Sequence, residues 1–315
     1  MSGGAVKGIE AKAPAPAQRS EPSRALDFWT PAPALAPYVS GYHFYSIDVG
    51  DAGTFSDIFF PAWANIRFTF PSGAWRIKLG NRSFDPVPAA ALFGPTSHAG
   101  YAAGRSGSLV GAGLTPLGWT RLIGVDASHY ADRVVPLEPV VGDEARMIGE
   151  ALEAGETADA LFDAWLLTRL AASEPEPPEV ATLFALINDP AIDTVAELCE
   201  RLDLPQRALV RLAKCHFGFG PKRLLRRARF MRALTRLTKE GKGRWAEEAE
   251  QAGYFDQSHF VRDCRLFLGR PLGEFVALPK PLMELSMRQR SRVLGAPAQA
   301  LHLPPVPALH KSTTN

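Results

Sequence analysis

The sequence predicts an α+β protein of two domains: an N-terminal β-barrel or sandwich with trailing helices, then an all-helical domain built on an internal repeat. The first observation is a series of short runs rich in aromatic and β-branched residues. "SGYHFYSIDV", "SDIFFP", "NIRFTFP", "WRIKLG" and "SLVGAGLTP" lie between Asp27 and Val141, separated by Gly, Pro and Asp. That is the spacing of strands in a small barrel or sandwich. The second is a change of period after Asp143, where Met147, Ile148, Leu152, Leu161, Phe162, Trp165, Leu166 and Leu170 recur at helical intervals around Gly155. The third is the repeat.

"AELCERLDLPQRALVRLAKCHFGFGP", from Ala196, aligns with "AEEAEQAGYFDQSHFVRDCRLFLGRP", from Ala246. Cys199 falls on Ala249, Leu202 on Ala252, Asp203 on Gly253, Leu209 on Phe260, Arg211 on Arg262, Lys214 on Arg265 and Gly218 on Gly269. Each copy reads as a short helix, a tight turn and a second helix, with Asp203 or Gly253 where the turn needs a left-handed residue. This is the helix-turn-helix pattern, whose second helix enters the DNA major groove.

The second helix of the later copy separates by angle, at about 100° per residue from Gln257. Val261, Leu268, Cys264, Phe260 and Phe267 share an apolar arc, and Ser258, Arg265, Arg262 and His259 share a polar one, with Asp256 placed as N-cap. A metal site needs two or three converging ligands, and His259 is the only histidine on this helix, which argues against one. Between the copies, "GPKRLLRRARFMRALTRLTKE" starts a helix at Pro221 and runs an apolar stripe, Leu224, Leu225, Ala228, Met231, Leu234 and Leu237, through an arginine-rich rod. Its length of about 28 Å approaches the ~34 Å between successive major-groove faces. Arg223, Arg226, Arg227, Arg229, Arg232 and Arg236 are available on this reading to phosphates.

Charge is distributed accordingly. From Pro205 to Arg270 there are sixteen Lys/Arg against six Asp/Glu, a net +10 in a chain of net +2, so the remaining residues carry −8. A basic segment of this kind suits nucleic acid or an anionic surface. The candidate phosphate contacts are Lys214, Lys222, Arg226 and Arg265. With 46% hydrophobic and 10% aromatic residues the chain is globular in composition. No run approaches the roughly 20 apolar residues of a membrane helix, and the N-terminus lacks the apolar stretch of a signal peptide, so a cytoplasmic protein is expected. Cys199, Cys215 and Cys264 are too scattered for a disulfide framework and read as buried small hydrophobes. The expected organisation is a disordered tail over 1–24, a regulatory domain over 25–172, a Pro/Glu-rich linker over 173–180, the paired units over 181–278 and a second disordered tail over 279–315.

The helical half resembles the DNA-binding domain of the AraC/XylS family of bacterial transcription regulators, most closely in "AGYFDQSHFVRDCRLFLG", where "DQSHF" followed by Arg is typical. The resemblance spans about one hundred residues. It implies a regulator that binds double-stranded DNA, with Gln257, Ser258, His259 and Arg262 of the second unit and Gln206, Arg207 and Arg211 of the first contacting bases. Arginine can address guanine, and glutamine adenine, bidentately. RNA polymerase and a second copy of the chain are further candidate partners. The chain departs from the family at Pro205, where a Ser or Thr cap is usual, at Cys264, where an aromatic is common, and at Pro271, one position early.

In the N-terminal half there is no G-x-S-x-G elbow, phosphate-binding loop or H-E-x-x-H, and His43, His98 and His129 form no close pair, so neither cofactor nor metal is expected. AraC-like proteins commonly place a cupin-like barrel here that senses a small molecule or mediates dimerisation. A barrel lined by Tyr42, Phe44, Phe59, Trp63, Phe68, Phe70 and Trp75 offers an effector pocket, with Tyr42, Phe44, Trp63, Phe68 and Trp75 as its candidate lining; alternatively the same side chains fill it. Two rival readings stand beside the regulator: a cupin-type enzyme with an accessory helical domain, and an architectural protein that binds DNA without sequence preference.

Overall fold

A computed structural model describes residues 23–51, 53–240, 254 and 257–302 of the chain. The first helix of the second repeat copy, Gly253 and Asp256 lie outside the described residues, as do the N-terminal tail up to residue 22 and residues 303–315. No described helix is long and apolar enough to cross a membrane.

Among the described residues, ten strands form two antiparallel sheets. They are β1 Ser23–Trp29, β2 Val39–Asp48, β3 Phe55–Phe59, β4 Asn65–Phe70, β5 Trp75–Leu79, β6 Arg82–Phe84, β7 Ala90–Phe93, β8 Gly100–Gly104, β9 Gly107–Leu114 and β10 Val134–Pro136. The larger sheet has the order β1-β2-β9-β4-β7-β10 and the smaller β3-β8-β5-β6. In β5, "WRIKL" alternates buried and exposed, because the smaller sheet has solvent on its outer side. The larger sheet is covered on both faces. Its inner residues, including Leu26, Tyr45, Ile47, Ala91, Phe93 and Leu109, pack against Phe55, Trp75, Ile77 and Leu79 of the smaller sheet. Its outer residues Tyr42, Ile66, Phe68, Leu92 and Val110 pack beneath helices.

After β9 come a short turn α1 Pro116–Gly118, α2 Glu138–Val141, α3 Glu144–Glu153 and α4 Ala158–Ala172. Phe162, Trp165 and Leu166 of α4 rest on the outer face, where Tyr42 Oη donates to Asp163 Oδ1 at 2.7 Å. Then follow α5 Pro178–Asn188, α6 Val195–Leu202, α7 Gln206–Phe217, α8 Pro221–Glu240, α9 Gln257–Leu268, α10 Leu272–Ala277 and α11 Pro281–Leu294. The joint before α5 is clamped by Arg121, which pairs with Glu176 at 3.1 Å and donates to Ser173 Oγ at 2.8 Å and Leu170 O at 2.9 Å.

The two halves share hydrophobic cores. Trp63 of the barrel packs edge-on against Phe184 of α5 and Phe217 of α7. Ile58 and Ala99 join the cluster formed by α8, α9 and α10. Cys264 is buried there as expected, whereas Cys199 and Cys215 are partly exposed.

The expectation of a structureless tail after residue 278 fails up to residue 302. Instead α11 and a 3-10 turn, Gln299–Leu301, return to the barrel as a strap. Asp57 accepts from the backbone amides of Leu282 at 2.7 Å and Met283 at 3.2 Å, satisfying donors at the start of α11. Leu282 enters the inter-sheet core. Gln299 is buried across the end of the large sheet. It donates to Ser40 Oγ, Ala64 O and Leu114 O at 3.0, 3.1 and 3.2 Å, and accepts from Asn65 Nδ2 at 3.0 Å. The helix is hard to read because its inward positions mix Leu282 and Met283 with Ser286 and Arg290 and its flanks are Pro- and Ala-rich. Leu282→Ala should cost about 2–5 kcal/mol in urea unfolding, the usual loss for a core leucine, whereas a disordered tail would lose nothing.

Candidate nucleic-acid interface and barrel cavity

The first repeat unit starts with a capping box. Thr194 Oγ1 accepts from the Glu197 amide at 3.2 Å, and Glu197 Oε2 accepts from the Thr194 amide at 2.8 Å. Asp203 ends α6 in the left-handed region at φ 50°, as the tight turn requires. Pro205 then precedes α7 without a side-chain cap. Leu209, Ala213 and Phe217 bury one side of α7, leaving Gln206, Arg207, Arg211 and Lys214 exposed. The second unit repeats the division. Phe260, Cys264, Phe267 and Leu268 of α9 are buried; Ser258, Arg262 and Arg265 are exposed and His259 is half-buried. The Gln257 side chain lies outside the described residues. Both helices stop at a left-handed glycine, Gly218 at φ 81° and Gly269 at φ 73°.

Between the units lie two adjoining grooves that share Val195, Lys222 and Arg226. One, of about 740 Å³, is lined also by Arg229, His259 and Arg262; the other takes in Gln206 and Arg223. Gln206, Lys222, His259 and Arg262 are therefore brought to one cationic surface. Arg211 faces a separate groove with Glu179, Cys215 and His216.

The linker helix is less free than its composition suggests. Arg227 is buried against the barrel, its guanidinium 3.8 Å from the centre of the Trp63 ring, donating to Thr96 O at 2.8 Å and Ala62 O at 3.2 Å. Arg229 pairs with Asp193 at 3.0 Å. Arg226, expected on phosphate, is paired with Asp263. Asp263 is fully buried and also accepts from Tyr254 Oη at 2.9 Å, so it joins α9 to α8 and holds the polar face of α9 outward. Sequence reasoning missed this residue, although a carboxylate at the edge of an apolar arc was the available signal. These three arginines are used inside the protein because each emerges on a side of α8 that other elements cover.

Residues 198–277 match the family described as "Helix-turn-helix domain". This segment is a helix-turn-helix domain of the AraC type. Among curated proteins, none matches the sequence. The chain is similar to the solved structure of ToxT from Vibrio cholerae in its P21 form, at 11% identity and a TM-score of 0.42, covering 75% of this chain and 97% of that one. It is also similar to unsaturated fatty acid bound wild-type ToxT from Vibrio cholerae strain SCE256, at 11% identity and 0.38, covering 82% and 95%. A third is the AraC-like transcriptional activator CuxR, at 13% identity and 0.29, covering 69% and 84%. Identities and scores this low transfer no residue role. The AraC-type domain places DNA binding in the helical half.

The five aromatic residues expected around an effector pocket are not brought together. Tyr42, Phe44 and Phe68 belong to the core under α4, Trp75 to the inter-sheet core and Trp63 to the contact between domains. They are consumed in packing. A cavity of about 80 Å³ opens elsewhere, between the inner face of the large sheet and the strap. Among its lining residues are His43, Tyr45 and Arg67 from the sheet and Met287 and Arg290 from α11.

Two measurements check these assignments. Asp263→Ala leaves Arg226 and Tyr254 without their partner and should lower stability by about 2–4 kcal/mol in chemical denaturation. Burial and the nearby Arg67 and Arg290 hold the His43 imidazole neutral, with its pKa well below the ordinary 6.5. His302 is pushed down to about 4 in the same way, chiefly by burial. Below about pH 6.5 the unfolded chain then binds more protons than the folded one, so stability present above that pH is lost as pH falls toward 4. His43→Gln should flatten this slope in urea titrations.

Proposed function

We propose that the chain is a sequence-specific transcription regulator of the AraC/XylS family that reads two adjacent major-groove segments of double-stranded DNA. The observation that carries this is the pair of polar faces on α7 and α9, each backed by a buried apolar face and flanking a shared cationic surface. Gln206, Arg207 and Arg211 of the first unit and Gln257, Ser258, His259 and Arg262 of the second contact base edges. Lys214, Lys222 and Arg265 contact phosphates and set affinity and orientation. Arg226 is withdrawn from the phosphate set and assigned to packing, because its charge is answered by Asp263. A small-molecule effector in the barrel domain controls the DNA-binding domain through the contacts that join them. RNA polymerase and a second copy of the chain are its protein partners in this reading, and the cytoplasm is its place.

The test is selection of the full chain on randomised duplex DNA at one stated salt concentration. It should enrich an asymmetric motif of two blocks about one helical turn apart. Arg262→Ala should relax preference at one position by about 1–3 kcal/mol, while Lys222→Ala should weaken all sequences alike and reduce the salt dependence. Binding that fades with salt and enriches no motif would assign the chain instead to architectural, sequence-independent DNA binding.

A further inference from the structure

The inner face of the large sheet changes character toward the strap. Most of its inward positions are apolar, but β2 contributes His43 and β4 contributes Asn65 and Arg67. Beside them β9 is bare: a Cβ built on Gly111 would stand 2.8 Å from His43 Nε2. The strap closes this end and brings Arg290 from the far side of the helix-turn-helix domain.

Among the described residues, neither arginine facing the cavity has a counterion. Arg67 lies over Phe93 at 4.4 Å and Phe59 at 5.6 Å, and among the described residues its side chain makes no hydrogen bond or ion pair. Its Nε is enclosed without a partner. Arg290 is 6% exposed, donates once to Ser40 O at 3.1 Å, and has an enclosed Nε without a partner. His43 is 4% exposed, and its Nε2 is likewise enclosed and unpartnered. Among the described residues, no Asp or Glu lines the cavity. The nearby carboxylate of Asp57 is committed to the start of α11.

A buried cation, a second that is half-buried and an orphan imidazole nitrogen around one void are costly unless an anion occupies it. Half of the lining is apolar, with Phe28, Phe60, Met283 and Met287 among it. A carboxylate matches the guanidinium fork and, unlike inorganic phosphate, carries an apolar body for those side chains.

We propose that this cavity binds a small organic carboxylate, held between Arg67 of the barrel and Arg290 of the strap. As an effector site it rests on the regulator reading, but its occupancy does not. Because one arginine precedes the DNA-binding domain in the chain and the other follows it, the bound carboxylate fastens both ends of that domain to the barrel.

The test is isothermal titration of the full chain with sodium acetate, benzoate and octanoate, against inorganic phosphate and chloride at equal ionic strength. At least one carboxylate should bind at one site per chain and raise the melting temperature. Arg67→Met should weaken it at least about 10-fold, the loss expected for a charge-assisted pair, with Arg67→Lys between the two. Met287→Trp, which fills the void while leaving both arginines in the chain, should weaken it similarly, so the assignment stays testable if the Arg67 variants fold poorly. Failure of all three carboxylates to bind, binding that neither Arg67→Met nor Met287→Trp weakens, or phosphate binding more tightly overturns it. A carboxylate that binds a chain with no operator removes the regulator reading alone; an operator without carboxylate binding removes this site alone.

Discussion

The guanidinium of Arg227 leaves the linker helix and enters the barrel, where it lies 3.8 Å from the centre of the Trp63 ring and donates to two carbonyls. Among the described residues it forms no ion pair; the charge of Asp132 favours the guanidinium, but burial outweighs it and pushes its pKa down to about 9. A charge placed so deep stays only where stacking and hydrogen bonds replace its water, and here they come from the other domain. Trp63 in turn is held by Phe184 and Phe217, from α5 and the first reading helix. The orientation of that helix is therefore a property of the barrel as much as of the helix-turn-helix domain.

The strap makes the same connection from the other end. Asp57 receives the start of α11, Leu282 enters the inter-sheet core, and Gln299 completes the polar end of the large sheet. The DNA-binding domain is thus attached where the chain enters it, at the Arg121 clamp, and where the chain leaves it. The barrel is joined to α7 through packed side chains and to α11 through backbone hydrogen bonds, the kind of contiguous contact that coupling between two sites requires.

Polar residues inside a barrel are usually answered within it. Asn65 meets that expectation through Gln299 and Trp63 O, and Tyr45 Oη through Ser286 Oγ at 3.0 Å. Nε2 of His43 and the Nε atoms of Arg67 and Arg290 do not. The contrast within one small region separates polar groups that are fully paired from side chains that keep unpaired atoms beside the void.

Sequence alone determined what depends on local period and turn chemistry. The strand runs, the change to helical spacing, the left-handed turn at Asp203 and the division of α7 and α9 into buried and exposed faces all follow from residues close together in the chain, because neighbouring dihedrals and side-chain periods produce them. The family likeness of residues 198–277 was legible for the same reason. Tertiary structure alone decided which arginines are spent inside. Arg226, Arg227 and Arg229 look equivalent on a basic helix, yet their partners Asp263, Trp63 and Asp193 are distant in sequence. It also dispersed Tyr42, Trp63 and Trp75 among three cores, and it folded an apparent tail into the lid of a cavity. Burial is a property of the assembled surface, and no local pattern encodes which remote element will cover a given side chain.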